Sequence, residues 1–178
     1  VGVDIRLGYI HRGIEASCQH RNYVRDLYIC ERICGICSHI HTTTFCRAVE
    51  SLLGLEVPMR AKYIRTIVAE LERIHSHLLW LGVAAHEVGF NTLFMYVCRD
   101  REIVQDLLEL ISGNRVNHGM ATIGGAKMDF TPEIIETCLE GLAVLKERTQ
   151  YYAEVGTTES TFLKRVEGVG ILTEQQAR

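Results

Sequence analysis

Two thiols and an imidazole stand close together in residues 32–41, which read R-I-C-G-I-C-S-H-I-H. Cys34, Cys37 and His41 are donor types that bind zinc, nickel, copper and iron. If the segment is helical, the three fall at i, i+3 and i+7 on one face, and His39 points away. Gly35 leaves room for a close approach of backbone and ligand. Cysteines in a first helical turn have their thiolates favoured by free N–H groups and the positive dipole end. Spacing alone leaves four readings open: a catalytic metal site, a structural zinc half-site, a dithiol redox pair, or two small buried side chains. Adding Cys46 gives C-x2-C-x3-H-x4-C, one residue short of a zinc knuckle that binds single-stranded nucleic acid. Against the knuckle, Ile40, Ala48, Val49, Leu52 and Leu53 carry an apolar helical stripe out of the motif.

The balance of the whole chain narrows these readings. The 178 residues fit one domain able to bury a core, and the formal net charge of -3 offers no basic footprint for nucleic acid. No apolar run reaches the roughly 18 residues a membrane span needs, because Glu70, Glu72, Arg73 and His75 cut the longest candidates. The first residue is Val1 and no secretory signal follows, so the sequence reads as an internal piece of a longer chain. Seven cysteines without such a signal argue for a reducing compartment and against a disulfide framework. Cys18, Cys30, Cys46, Cys98 and Cys138 are expected to be small buried apolar residues. Cys30 draws more suspicion, one turn before Cys34.

The elements that must position the thiols are mostly helices. Residues 1–9 alternate weakly and could form one short strand leading into His11-Arg12-Gly13. Residues near 13–31 contain a short helix. After the thiol motif a helix runs to about Leu53 and stops at Gly54, with Pro58 punctuating the connection. From Met59 to Val88, Ile64, Ile67, Val68, Leu71, Ile74, Leu78 and Leu81 recur at helical spacing, and Gly82 could bend the helix. A further helix spans about Thr92 to Ile111 and ends at Gly113. Residues 114–130 are irregular around Gly124-Gly125. Thr131-Pro132 then caps a helix to about Ala153, and residues 156–178 show little periodicity. The expected fold class is all-α: a multi-helix bundle, with one short N-terminal strand at most.

Other polar residues carry weaker signals. His75, His77 and His86 lie on the long helix without H-E-x-x-H spacing, so a zinc-protease site is excluded. His77 is expected beside an internal charge, the other two at ordinary interface or surface positions. Glu70, Glu72 and Arg73 read as a solvated face or an i,i+3 pair, with a proton-carrying carboxylate as the functional alternative. Gly124-Gly125-Ala126 is not a dinucleotide fingerprint, and neither G-x-S-x-G nor a phosphate loop occurs.

The string Arg32-Ile33-Cys34-Gly35-Ile36-Cys37 followed by His41 resembles R-x-C-G-x-C-x-x-x-H, the N-terminal metal motif of nickel-iron hydrogenase large subunits. Residues 8–15 (G-Y-I-H-R-G-I-E) and 70–82 (E-L-E-R-I-H-S-H-L-L-W-L-G) resemble the membrane-associated, energy-converting members and the related 49 kDa quinone-site subunit of respiratory complex I. That resemblance implies an oxidoreductase that cleaves or forms dihydrogen at a nickel-iron centre carrying carbon monoxide and cyanide. Cys34 would be a terminal nickel thiolate, Cys37 a thiolate bridging nickel and iron, and His41 a hydrogen-bond donor toward a bridging sulfur. Arg32 matches the motif without a ligand role; Arg12 and Glu15 match R-G-x-E and are expected as a buried pair near the site. Implied partners are an iron-sulfur small subunit and membrane subunits, with no nucleic acid. The implied location is the cytoplasm, peripheral to the inner face of the membrane.

The family's second C-x-x-C pair is not in this sequence. An isolated fragment is therefore expected to be inactive, to hold no metal or adventitious zinc, and to be capable of self-association. Two alternatives stand beside this: a complex-I-like NADH/quinone oxidoreductase subunit, and a zinc-stabilised binding module using Cys34, Cys37, His41 and Cys46.

Overall fold

The computed structural model describes residues 2–178. Its frame is an antiparallel pair of long helices, α4 (Met59–Glu87) and α5 (Asn91–Ser112). Their facing stripes place Ile64, Val68, Leu71, Leu78, Leu93, Val97, Val104 and Leu108 in one apolar core. Gly82 does not act as a bend. A Cβ there would sit 3.4 Å from Phe94 and 3.5 Å from Val97, so the missing side chain lets the two helices approach closely. The helices are joined by a tight turn in which Gly89 takes φ 79°. Helix α6 (Pro132–Thr158) begins at the expected Thr131 cap, whose hydroxyl accepts from the Ile134 N–H. It buries Cys138, Leu145 and Tyr152 against the same core, and the Tyr152 hydroxyl donates to the buried Asp100 carboxylate.

Against this frame pack α1 (Ile14–Gln19), α2 (Tyr23–Cys30), a 3-10 turn (Glu31–Ile33) and α3 (Ser38–Leu53). Helix α3 stops at Gly54, which adopts φ 63° and returns its N–H to the Ser51 carbonyl. Between α5 and α6 lies a hairpin of β1 (Ala121–Thr122) and β2 (Gly125–Ala126), turned by Ile123-Gly124. Leu27, Cys46 and Ala121 form a second small apolar cluster that fastens α2, α3 and the hairpin together.

The all-α expectation is met, with three local differences. Residues 2–9 form no strand, and Val3, Ile5 and Leu7 are exposed; Val1 lies outside the described residues. A strand there would need a neighbour to pair its backbone, and the two short strands pair only with each other. Residues 156–178 are not featureless: after the end of α6 they form α7 (Ser160–Val166) and α8 (Glu174–Ala177), the latter held by a Thr173–Gln176 capping box. The apolar stripe leading out of the thiol motif is only partly buried, since Val49 is in the interior while Leu52 and Leu53 face outward. No helix among the described residues is long and apolar enough to cross a membrane.

Candidate metal centre

The thiol segment is not one helix. Glu31–Ile33 is a 3-10 turn, Cys34 is extended at φ -145° and ψ 133°, and α3 begins only after Cys37, which sits at its N-cap. The shared helical face therefore does not explain the convergence. The loop does: Cys34 Sγ accepts the Ile36 N–H at 3.4 Å, folding the chain back so that donor atoms of Cys34, Cys37 and His41 all lie within 4.8 Å of one another. Packing pins the loop from outside, because a Cβ on Gly35 would meet Val116 Cγ1 at 3.3 Å. All three side chains are partly accessible, as metal donors need to be.

The two thiols differ in acidity. Burial opposes ionisation of Cys34, but hydrogen bonds from the Cys37 thiol and from the Ile36 and Cys37 N–H groups outweigh it, and Cys34 is held below the ordinary thiol value. Burial, the hydrogen bond to Cys34 and the negative charge of Cys34 push Cys37 up to about 12. Cys34 is thus the more acidic of the two thiols, and Cys37 its hydrogen-bond donor. The Glu72 anion disfavours ionisation of both.

Glu72 is the residue that sequence reasoning missed. It is 2% exposed and accepts the His39 N–H at 2.6 Å and the Ile40 N–H at 3.0 Å, so a carboxylate from α4 caps the start of α3. Its Oε1 also lies 2.9 Å from Nε2 of His118, a fully buried ring from the irregular segment after α5. Of the neighbouring charges, only Glu70 and Arg73 form the expected exposed i,i+3 pair. A signal for Glu72 was available. It falls four residues after Val68 and three before His75, at the spacing of the buried stripe, where a charge requires partners.

His39 points away from the thiols, as helical phase suggested, and is wholly buried. Its Nδ1 accepts the Met120 N–H at 3.1 Å, so Nε2–H donates to the Arg65 carbonyl at 2.9 Å. Burial drives its pKa down to about 4. Ser38 Oγ donates to the Val116 carbonyl and accepts the His118 N–H.

The remaining candidates fall elsewhere. Arg12 and Glu15 are both exposed and form no ion pair; Arg12 donates instead to the Ile33 carbonyl at 2.7 Å. Gly13, in the left-handed conformation at the start of α1, separates the two, and Glu15 stays in the exposed first turn of that helix. Arg32 donates to the Tyr28 carbonyl at 2.7 Å and to Glu31, bracing the turn before Cys34. Cys46 belongs to the small apolar cluster with Leu27 and Ala121 and is not among the converging donors, so the four-ligand zinc module fails. Cys30 is buried against Cys18, and both thiols are pushed up chiefly by burial. Cys138 is buried as expected, whereas Cys18 and Cys98 are only half-buried. His86 is exposed, as expected, whereas His77 is exposed instead of beside an internal charge and His75 is the buried one. A cavity of about 390 Å³ between α3 and α4, lined by residues that include Arg47, Glu50, Lys62 and Arg65, contains none of the three donors.

Comparison with known proteins matches this geometry to a family. Residues 12–83, which hold the whole thiol corner, match the nickel-dependent hydrogenase model. Residues 87–178 match that of the 49 kDa subunit of respiratory-chain NADH dehydrogenase. The chain is 45% identical over 177 residues to the membrane-bound hydrogenase subunit alpha of Pyrococcus furiosus, covering 99% of this chain and 42% of that protein. It is 38% identical to hydrogenase-4 component G of Escherichia coli, covering 100% of this chain and 32% of that one. Among solved structures, a chain of the membrane-bound sulfane sulfur reductase, an archaeal respiratory membrane complex, superposes with a TM-score of 0.87 at 27% identity, covering 94% of this chain and 45% of that chain. The chain spans a third to a half of the length of these relatives. The chain belongs to the family of the 49 kDa subunit of respiratory-chain NADH dehydrogenase, and its N-terminal part, with the thiol corner, matches the nickel-dependent hydrogenases.

Proposed function

We propose that this chain contributes two thiolates to the nickel-iron centre of an energy-converting hydrogenase large subunit. The observation that carries the proposal is the convergence of Cys34, Cys37 and His41 within 4.8 Å, inside the segment that matches nickel-dependent hydrogenases. The donors fit the group. Two soft thiolates donate charge strongly to a low-valent metal, and hydrogen bonds to Cys34 already ease the loss of its proton. When bound, the centre supplies reversible two-electron cleavage of dihydrogen, with carbon monoxide and cyanide on iron.

The residues of this chain prepare the place. Cys34 and Cys37, the latter at the cap of α3, would hold the centre as thiolates, each giving up its proton on binding. A His41 ring nitrogen lies within 4.8 Å of both sulfurs, and we assign it as the hydrogen-bond donor toward them in the assembled centre. Glu72 fixes the start of α3 and so the position of Cys37. A second thiol pair from elsewhere in the parent polypeptide completes the ligand set. An iron-sulfur small subunit takes the electrons, and membrane subunits hold the assembly at the cytoplasmic face.

Nickel analysis of the assembled parent complex tests this. One nickel per large subunit is expected, lost on Cys34→Ser and on Cys37→Ser; nickel retained in both variants overturns the assignment.

The likeness to the sulfane sulfur reductase supports a second reading, because a thiol of lowered pKa hydrogen-bonded to a second, less acidic thiol is also a dithiol redox pair. Cys34 thiolate would attack a sulfane sulfur and release the rest of the polysulfide as a thiolate. Cys37 would then displace hydrosulfide, and the two thiols supply two electrons in becoming a disulfide. A nickel-free complex that consumes polysulfide in step with Cys34–Cys37 disulfide formation selects this reading.

A further inference from the structure

Behind the thiol corner the polar interior continues away from Glu72. His118 Nε2 lies 2.9 Å from the Glu72 carboxylate, which only accepts, so this nitrogen carries a ring proton, and with a single ring proton Nδ1 is the acceptor. His75, 1% exposed, receives a bond from Arg101 at Nε2, 3.1 Å away. A guanidinium only donates, so His75 holds its ring proton on Nδ1. Burial, the Arg101 cation and His118 keep this ring neutral, with its pKa held down to about 4.

One donor and one acceptor are therefore left over, the Nδ1–H of His75 and the Nδ1 of His118. Both are buried, and neither has a partner among the described residues. The rings meet edge to face with centroids 6.2 Å apart, so the two leftover nitrogens belong to neighbouring buried rings. A leftover donor and acceptor on neighbouring buried rings is the pattern that an internal water satisfies.

We propose that a single buried water joins His75 Nδ1 to His118 Nδ1 and completes a proton path, Arg101–His75–water–His118–Glu72, that ends beneath the thiol loop. Its purpose rests on the nickel-iron reading, since a centre that makes or consumes dihydrogen must exchange protons with its surroundings. Arg101 is half-buried, and its Nε also lacks a partner among the described residues, so one bond to His75 is what holds it over the path. When it swings away, a proton from solvent adds to His75 Nε2 and the Nδ1 proton passes to the water. The water passes a proton to His118 Nδ1, and the Nε2 proton passes to Glu72. One proton moves and no electron does; both rings end neutral in the opposite tautomer, and the reverse sequence carries a proton out.

The test uses the assembled parent complex with His75→Leu and His75→Gln. Leucine removes the path. Glutamine keeps an acceptor for Arg101 and a donor for the water but relays no proton through a ring. Both variants are expected to keep wild-type nickel while hydrogen-isotope exchange between gas and water falls on the order of tenfold or more. A high-resolution map of the wild type is expected to show an oxygen bonded to both Nδ1 atoms. Wild-type exchange in either variant, or loss of nickel in both, overturns the path, and a side chain instead of a water in the gap overturns the site. A nickel-free wild type overturns the functional reading instead, while the map still decides the water.

Discussion

The two ends of α3 are both held by a buried carboxylate, and the two carboxylates are held in different ways. At the C-terminal end, Glu50 meets Arg65 of α4 in a two-pronged ion pair at 2.6 and 3.1 Å, both side chains less than 10% exposed. Arg65 also donates to the Thr122 and Gly125 carbonyls, and Glu50 accepts the Gly124 N–H, so the hairpin is stitched to the same pair. At the N-terminal end, Glu72 faces no guanidinium or ammonium among the described residues; backbone N–H groups and the His118 ring hold it. A carboxylate locked to a permanent cation fixes architecture, whereas one held by N–H donors and an imidazole leaves its charge free to act on the thiols.

Acid should separate the two ends first and most strongly. His39 and His75 titrate near 4 when folded, against 6.5 in the unfolded chain. Between those values the unfolded state binds more protons. Their contribution is therefore complete above 6.5 and is lost as the pH falls toward 4, on the order of 3 kcal/mol for each. Glu50 is held below its ordinary value, chiefly by the Arg65 hydrogen bonds, so its contribution is complete above 4.5 and is lost only as the pH falls from there through its lower folded value. Urea midpoints measured from pH 7 to 4 should fall steadily, and His39→Gln should flatten the fall; a flat profile in the parent protein breaks the contrast.

Arg65→Met should cost about 3–5 kcal/mol in chemical denaturation by stranding Glu50 in the interior, and Glu50→Leu added to it should recover much of that loss. Glu72→Gln should cost less, about 1.5–3 kcal/mol, because the two N–H bonds lose their charge assistance but keep an acceptor. It should also speed iodoacetamide alkylation of Cys34 at neutral pH, since the anion that opposes thiolate formation is gone. Unchanged alkylation would show that the Glu72 charge does not reach the thiols. Arg73→Ala, which removes an exposed pair one residue away in sequence, should change stability by about 0.5 kcal/mol or less.

Much of the frame was legible in the sequence because it rests on local rules. The stripe on α4, the Gly54 and Gly113 stops and the Thr131-Pro132 start each depend on a few neighbouring residues. The thiol site was legible for a reason that proved incomplete. Its three donors converge, but through a turn and a cap instead of one helical face, and only a tertiary contact such as Gly35 on Val116 fixes that loop. Glu72 and His118 were hidden for the opposite reason. They meet across 46 residues, one masked by its charged neighbours Glu70 and Arg73 and the other lying in a segment without periodicity.

The bonds that seat the thiol loop have a consequence for the order of events during synthesis. Ser38 reaches Val116 and His118 across 78 and 80 positions, and His39 reaches Met120 across 81. Closing loops of that length is slow beside helix formation. The cysteines leave the ribosome long before the segment that positions them, so metal delivered early would meet a flexible dithiol, and the corner described here takes shape only once α5 has folded back.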